Sequence, residues 1–282
     1  MTAEIQQFET QAEWLQWQAD HRRELAVQHV ANVALSKALI TEPVAGDCVL
    51  CGIRCQFICT DNGRGMVSFR ESLLCPNCLN NARQRAVAQL LLEEIETGSR
   101  LYVTEQASHF YFAMKKRCRL QGSEFTGSTR QRLKLWLWLW RYGHFEWLHR
   151  EDITHLSFAD RSLDAIATLD VLEHVPDVQR ALVEFARVLR PGGHLILTVP
   201  FYCDQADSIE LARVDGDGEV EHLQVPEYHG DPLGGGVLCF HHFAWDLLAR
   251  MRSAGFSRAM AVRIRDPDNG LPESLWILRA VR

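Results

Sequence analysis

EDITHLSFADRSLDAIATLDVLEHVPDVQRALVEFARVLRPGGHLILTVPF, residues 151–201, is the stretch whose reading decides the fold. Within it, residues 163–169 form a short apolar run closed by Asp170, as expected of a strand buried on both faces. Val178, Ala181, Leu182, Phe185, Val188 and Leu189 then recur at helical spacing, with charged residues between them. Asp177 stands where the helix needs a cap, and Pro191-Gly192-Gly193 stops it. Residues 194–199 read as a second buried strand, ended by Pro200. Strand, crossover helix and strand make a βαβ unit of an open parallel sheet. Such sheets hold ligands beyond the carboxyl ends of their strands, which singles out Leu169, Asp170, Val171 and residues 200–202.

The segments LDVLEHVPD and ALVEFARVLRPGGHLILTVPF resemble the second half of a class I S-adenosylmethionine-dependent methyltransferase of the methyltransferase type 11 group. The resemblance covers roughly residues 99–282 and is specific over 151–201. It implies an α/β fold, a Rossmann-like seven-stranded sheet, with S-adenosyl-L-methionine bordered by the strand that ends at Leu169-Asp170. A fold does not fix a reaction, so the rest of the chain is read on its own terms.

Of the 282 residues, 47% are hydrophobic, enough for a sizeable core, and 23% are charged. A net charge of −6 argues against non-specific binding of nucleic acid. The amino-terminal MTAEIQQFETQ lacks the apolar centre of a signal peptide, and no apolar run is long enough to span a bilayer. A cytoplasmic protein is expected, and its nine cysteines are then metal ligands or free thiols rather than a disulfide framework.

Residues 1–45 are read as helices, with Thr41-Glu42-Pro43 ending the segment. They could pack on the core, gate a substrate or form a homodimer contact. Residues 46–98 follow as a cysteine-rich segment and a connecting helix. Cys48-x2-Cys51 and Cys75-x2-Cys78 are two knuckles that could place four thiolates around one structural zinc ion. A stretch with Gly52, Gly63 and Gly65 and few large apolar residues needs such a staple to fold. Reduced thiols are the other reading, and Cys55 or Cys59 could replace Cys51. FRESLLCPNCLNNARQRA, residues 69–86, resembles the zinc-knuckle lead-in of one methyltransferase subgroup that also carries a Thr-Glu-Gln segment. Arg83 and Arg85 could bind an anionic substrate or line a solvated helix face, and the solvated face is the simpler reading.

Residues 99–282 hold the main domain. RLYVTE, residues 100–105, is expected as the first sheet strand. Where the resemblance implies a Gly-x-Gly turn, this chain has Thr104-Glu105-Gln106-Ala107-Ser108. Glu105 could pair with the cationic sulfonium–amino end of the cofactor, and Gln106 could bond its carboxylate. Glu124 ends the second strand 19 residues after Glu105, where nucleotide-binding sheets hold an acid for ribose hydroxyls; a surface loop acid is the alternative. Residues 145–148 are expected as the third strand. The resemblance then implies Asp152 on the adenine amino group, with Ile153 packed on the ring. The aromatic run from Leu133 to Trp140 is apolar nearly all round, so a buried helix or a partner contact is expected there.

Residues 202–240 form an insertion rich in Gly, Asp and His above the strand ends, where substrate loops lie. Tyr228, His229 and His222 are candidate catalytic groups, since histidine suits general-base work near neutral pH. His241 and His242 are further candidates, a metal site from His222, His229 and Asp231 is conceivable, and loop packing accounts equally well for each histidine. A helix over 243–251 and an antiparallel strand pair close the chain. The reading is methyl transfer to an oxygen or nitrogen of a small-molecule or glycan acceptor, without membrane or nucleic acid. The alternatives are a non-catalytic methyltransferase-like binding subunit and an RNA-directed methyltransferase or adaptor using Arg83, Arg85, Arg130 and Arg132.

Overall fold

The computed structural model describes residues 3–39, 43–59, 68–126, 128–141, 143–229 and 236–282, with the side chain of Trp138 outside that description. Thr41, Glu42, Gly63, Gly65 and Asp231 lie outside the described residues. The chain begins with β1 (Glu4–Phe8), α1 (Gln11–Asp20), α2 (Arg22–Ala38), β2 (Val44–Asp47) and β3 (Arg54–Cys59). Next come α3 (Phe69–Ser72), β4 (Leu73–Leu74), α4 (Ala82–Glu94), β5 (Arg100–Val103), α5 (His109–Lys115) and β6 (Arg119–Gly122). Then follow α6 (Thr129–Arg141), β7 (Leu163–Leu169), α7 (Val178–Val188) and β8 (Leu189–Thr198). Short strands β9 (Ile209–Glu210), β10 (Ala212–Val214), β11 (Val220–His222), β12 (Tyr228–His229), β13 (Val237–Leu238) and β14 (His241–His242) make up the insertion. The chain closes with α8 (Asp246–Ser253), β15 (Arg258–Asp266) and β16 (Leu271–Val281).

Seven strands form the main sheet in the order β1-β15-β16-β8-β7-β5-β6. Strands β8, β7, β5 and β6 run parallel, while β16, β15 and β1 join antiparallel. Alternation along β7 and β8 sets the layers. Ile166, Leu195 and Leu197 pack in one core with Leu182 and Phe185 of α7. Ala165, Ala167 and Ile196 pack in the other with Val87 and Leu91 of α4. Each fully buried Leu or Phe contributes roughly 1.5–3 kcal/mol, so the βαβ unit is held from both faces. Asp177 caps α7 by accepting the N–H of Arg180 at 2.9 Å, as its position predicts.

Several expectations change. Residues 1–45 are not all helical, because Glu4–Phe8 is a strand and supplies the seventh position of the sheet. Aromatic packing holds it there: the Phe8 and Trp14 rings lie 5.5 Å apart, and Trp14 meets Trp276 edge-on at 4.9 Å. Residues 145–148 do not form the third strand. Phe145 and Trp147 are 71% and 62% exposed, so only one face has anything to bury. The carbonyls of Trp147 and Leu148 are taken by the side chains of Gln106 and Arg132, which removes them from a sheet ladder.

Helix α6 is not a core helix either. Leu135 and Leu139 are buried with Leu148, whereas Leu133, Leu137 and Trp140 are exposed. An apolar groove of about 290 Å³ runs along it, lined by Leu133, Trp136, Trp147 and Leu148 with Thr129 and Arg132. The strand after α7 begins at Leu189 rather than residue 194, and α8 begins at Asp246 rather than residue 243. Among the described residues, no helix is long and apolar enough to cross a membrane.

Candidate functional site

The carboxyl ends of β5, β6 and β7 converge on the glycine-free turn. Thr104 donates its hydroxyl proton to Thr168 at 2.9 Å, which ties β5 to β7 inside the sheet. Glu105 follows with its Oε1 buried and without a hydrogen-bond partner. Burial pushes the Glu105 carboxyl up to about 7, against the pull of the nearby Arg83 guanidinium. Gln106 is buried, and both ends of its amide are engaged: Nε2 donates to the Trp147 carbonyl at 2.9 Å and Oε1 accepts from His149 N at 2.8 Å. Gln106 thus braces residues 147–149.

Glu124 reaches back to the same turn. Its Oε1 accepts the N–H groups of Gln106 and Ala107 at 2.8 and 2.6 Å. Burial raises its carboxyl, and those two bonds oppose the rise. A glycine on the neighbouring strand makes room for the turn and for Tyr111. A Cβ at Gly122 would lie 2.6 Å from the Tyr111 ring and 2.8 Å from the Glu105 carbonyl oxygen. Asp152 Oδ1 accepts from both the N–H and the hydroxyl of Thr154, at 2.9 and 2.7 Å, while Ile153 is buried in the core.

Leu169 is buried, and Asp170 takes a left-handed φ of 50° with its N–H bonded to the Thr198 carbonyl at 3.0 Å. Its side chain meets two cations from the cysteine-rich segment: Arg70 Nη2 at 2.7 Å and Arg83 Nε at 3.2 Å. Burial works against ionisation of Asp170, but Arg83 and Arg70 outweigh it and hold the carboxyl below the usual range. Glu71 also pairs with both arginines. Arg83 is thus no solvated face, and no sequence spacing foretold that residues 70 and 83 reach the end of β7.

The four predicted cysteines come together. Cys48 and Cys78 sulfurs are 3.7 Å apart, as are those of Cys51 and Cys75, and all four lie within 4.8 Å of one another. Four sulfurs at ~2.3 Å from a tetrahedral zinc ion would stand ~3.8 Å apart, so the set fits that ion. The two knuckles share a backbone device: the residue after each second cysteine is left-handed, Gly52 at φ 69° and Leu79 at φ 57°. Cys55 lies 3.8 Å from Cys75 but outside the quartet. Burial and Cys75 push the Cys55 thiol up to about 12.

Arg85 is wholly buried beside these sulfurs, correcting the solvated-face reading. It donates to the carbonyls of Leu73, Asn80 and Gly270 and stacks 4.2 Å over Phe57. Its Nε has no hydrogen-bond partner, and a buried cation calls for an anionic neighbour, which four thiolates around a metal ion would provide. The segment also grips the core, since Arg117 donates to Val49 and Leu50, and Asn80 to the His109 carbonyl.

The insertion folds onto the turn after β7: Phe240 N donates to the Glu173 carbonyl at 2.7 Å. Of the three catalytic candidates, His229 faces this turn, with Nδ1 3.8 Å from Glu173 Oε1. His222 lies on β11, which is exposed along its length, and Tyr228 is exposed. The structure does not bring those two to Glu173. Sequence reasoning passed over Glu173, Glu227 and His174; the LEHV motif carried the first and last of them.

Residues 114–197 match the family described as a methyltransferase domain, a span from within α5 through most of β8 and well under half of the chain. The chain is similar to "Methyltransferase GfsG" of Streptomyces halstedii, 38% identical over 65 residues, 23% of this chain and 23% of that protein. It is also similar to "27-O-demethylrifamycin SV methyltransferase" of Amycolatopsis mediterranei (strain S699), 36% identical over 81 residues, 27% and 30% of the two chains. The chain thus aligns with less than a third of the length of these curated relatives. Among solved structures, an S-adenosylmethionine-dependent methyltransferase from Mesorhizobium loti is 18% identical, covering 70% of this chain and 96% of that one at a TM-score of 0.44, a likeness too distant to carry an argument.

Proposed function

We propose that this chain transfers a methyl group from S-adenosyl-L-methionine to an oxygen or nitrogen of a small-molecule or glycan acceptor. In the same reading, Cys48, Cys51, Cys75 and Cys78 hold a structural zinc ion. One observation carries the enzymatic part: Glu105 Oε1, buried and unpartnered at the end of β5. A buried carboxylate oxygen left without a partner is costly, and a cationic ligand relieves that cost. The cofactor, when bound, supplies an electrophilic methyl group on a sulfonium. Glu105 would hold its positive amino end. The Glu124 oxygen not committed to the turn would take ribose hydroxyls, and Asp152 the adenine amino group. Positioning of the acceptor for in-line attack is then the main contribution of the protein. Of the histidine set, His229 lies against Glu173 past the end of β7 and would help to hold the acceptor there.

Calorimetry with S-adenosylmethionine and S-adenosylhomocysteine tests this. One molecule bound per chain, weakened about tenfold or more by Glu105→Gln, is the expected result. A second reading, a non-catalytic binding subunit, draws on Arg70 and Arg83 already pairing with Asp170 at the strand end. The absence of binding heat and of any thermal shift would leave that reading in place of the enzyme.

A further inference from the structure

Glu173 is the least expected side chain in the molecule. It is 0% exposed, and neither carboxylate oxygen has a hydrogen-bond partner. Buried carboxylates are paired, protonated or bound to a metal, because an isolated one loses its hydration without return. Around it stand His174, on the same turn, and His229, from β12 of the insertion. One ring nitrogen of each histidine and one Glu173 oxygen lie within 4.8 Å of one another.

The two imidazoles are held in the tautomers a metal needs. His229 Nε2 lies 3.0 Å from Glu227 Oε1, a carboxylate oxygen and so the acceptor of that bond. The imidazole therefore donates from Nε2, which leaves the Nδ1 lone pair toward Glu173. His174 Nδ1 is 2.8 Å from the Leu238 carbonyl, an acceptor only, so the proton sits on Nδ1 and Nε2 keeps its lone pair. A carboxylate or carbonyl behind each ligating histidine is the usual outer support of a metal site. Glu227 is itself fixed on its other oxygen by His242 Nε2 at 2.7 Å.

We propose that Glu173, His174 and His229 form a divalent transition-metal site, distinct from the cysteine cluster, whose remaining coordination positions take an oxygen ligand. Two histidines and one carboxylate suit zinc or a neighbouring first-row metal, and three protein ligands leave an open position. Ligand atoms at ~2.1 Å from a tetrahedral ion stand ~3.4 Å apart. The observed 3.8 Å between His229 Nδ1 and Glu173 Oε1 needs a contraction of only a few tenths of an ångström. The ion would sit three residues past Asp170, where the insertion folds onto the turn after β7, and a hydroxyl or carboxylate entering between them is the ligand class it would orient. His229 then acts through the ion and not as a free base. The site stands whether or not the chain transfers methyl groups, since its test is binding.

The full chain, loaded first with one equivalent of Zn²⁺, is titrated with Co²⁺. We expect a further equivalent with weak visible bands and no sulfur charge-transfer band in the near ultraviolet, which separates it from the thiolate cluster. Glu173→Gln, close to the native shape, and His229→Gln, at a half-buried position of the insertion, should each abolish this second signal while retaining the zinc. Glu227→Gln should weaken it about 10–100-fold, as loss of an outer partner does. If zinc-loaded wild type takes up no further cobalt, or if the Glu173 and His229 variants bind as wild type does, the site is refuted and Glu173 is a buried neutral acid.

Discussion

The Glu124 carboxylate accepts the backbone N–H of Gln106 at 2.8 Å, joining the end of β6 to the turn that follows β5. The same oxygen also takes Ala107 N–H, so one side chain satisfies two donors that a glycine-rich turn would offer to a ligand. Glu124→Ala orphans both donors and should lower stability by about 2–3 kcal/mol. Glu124→Gln keeps an acceptor and should stay within about 1 kcal/mol of wild type. Urea denaturation of the pair checks this; equal losses would show that the clamp is not structural.

Glu105 makes stability depend on pH. Burial lifts its carboxyl to about 7, above the ordinary value of 4.5. Between those two values the native chain holds a proton that the unfolded chain has released. Stability therefore falls as pH rises through that window, by on the order of 3 kcal/mol, and levels off above it. Glu105→Gln should flatten part of this slope in urea midpoints compared at about pH 5 and about pH 7.5. By the same linkage, cofactor binding below pH 7 should release a proton, read by calorimetry in buffers of different ionisation enthalpy.

The sulfur geometry separates ligands from a neighbour. Cys55→Ser should leave zinc content unchanged, because Cys55 stands outside the quartet. Cys78→Ser should lose the ion and loosen the segment that Arg85 anchors. Metal analysis together with thermal unfolding distinguishes the two, and zinc loss in the Cys55 variant would redraw the site.

Leu79 occupies the position that Gly52 fills in the first knuckle, at a left-handed φ that a leucine adopts only under strain. Its side chain is partly exposed and has little packing to lose. Leu79→Gly should raise stability by about 1 kcal/mol, seen as a higher unfolding midpoint. A clear loss would mean that the leucine side chain contributes more than its backbone costs.

Local pattern made much of this protein readable. The apolar runs at residues 163–169 and 194–199 and the helical period between them fixed the βαβ unit, because a buried strand and an amphipathic helix need only nearby residues to declare themselves. The two Cys-x2-Cys pairs were equally legible, since ligand spacing is a local property. The strand at Glu4–Phe8 was missed because its five residues carry little pattern beside the helices that follow. The third strand was expected at 145–148 from the order of the fold, yet side chains of Gln106 and Arg132 had claimed its carbonyls.

The amino-acid sequence by itself determined the parallel core around residues 151–201, the cysteine knuckles and the acidic residues at the strand ends. Tertiary structure alone decided how those ends are furnished. It brought Arg70 and Arg83 to Asp170, enclosed Arg85 beside the sulfurs, and set His229 against Glu173. Each of these pairings joins residues from separate elements, and the requirement that a buried charge find its partner is met in space, where sequence distance leaves no trace.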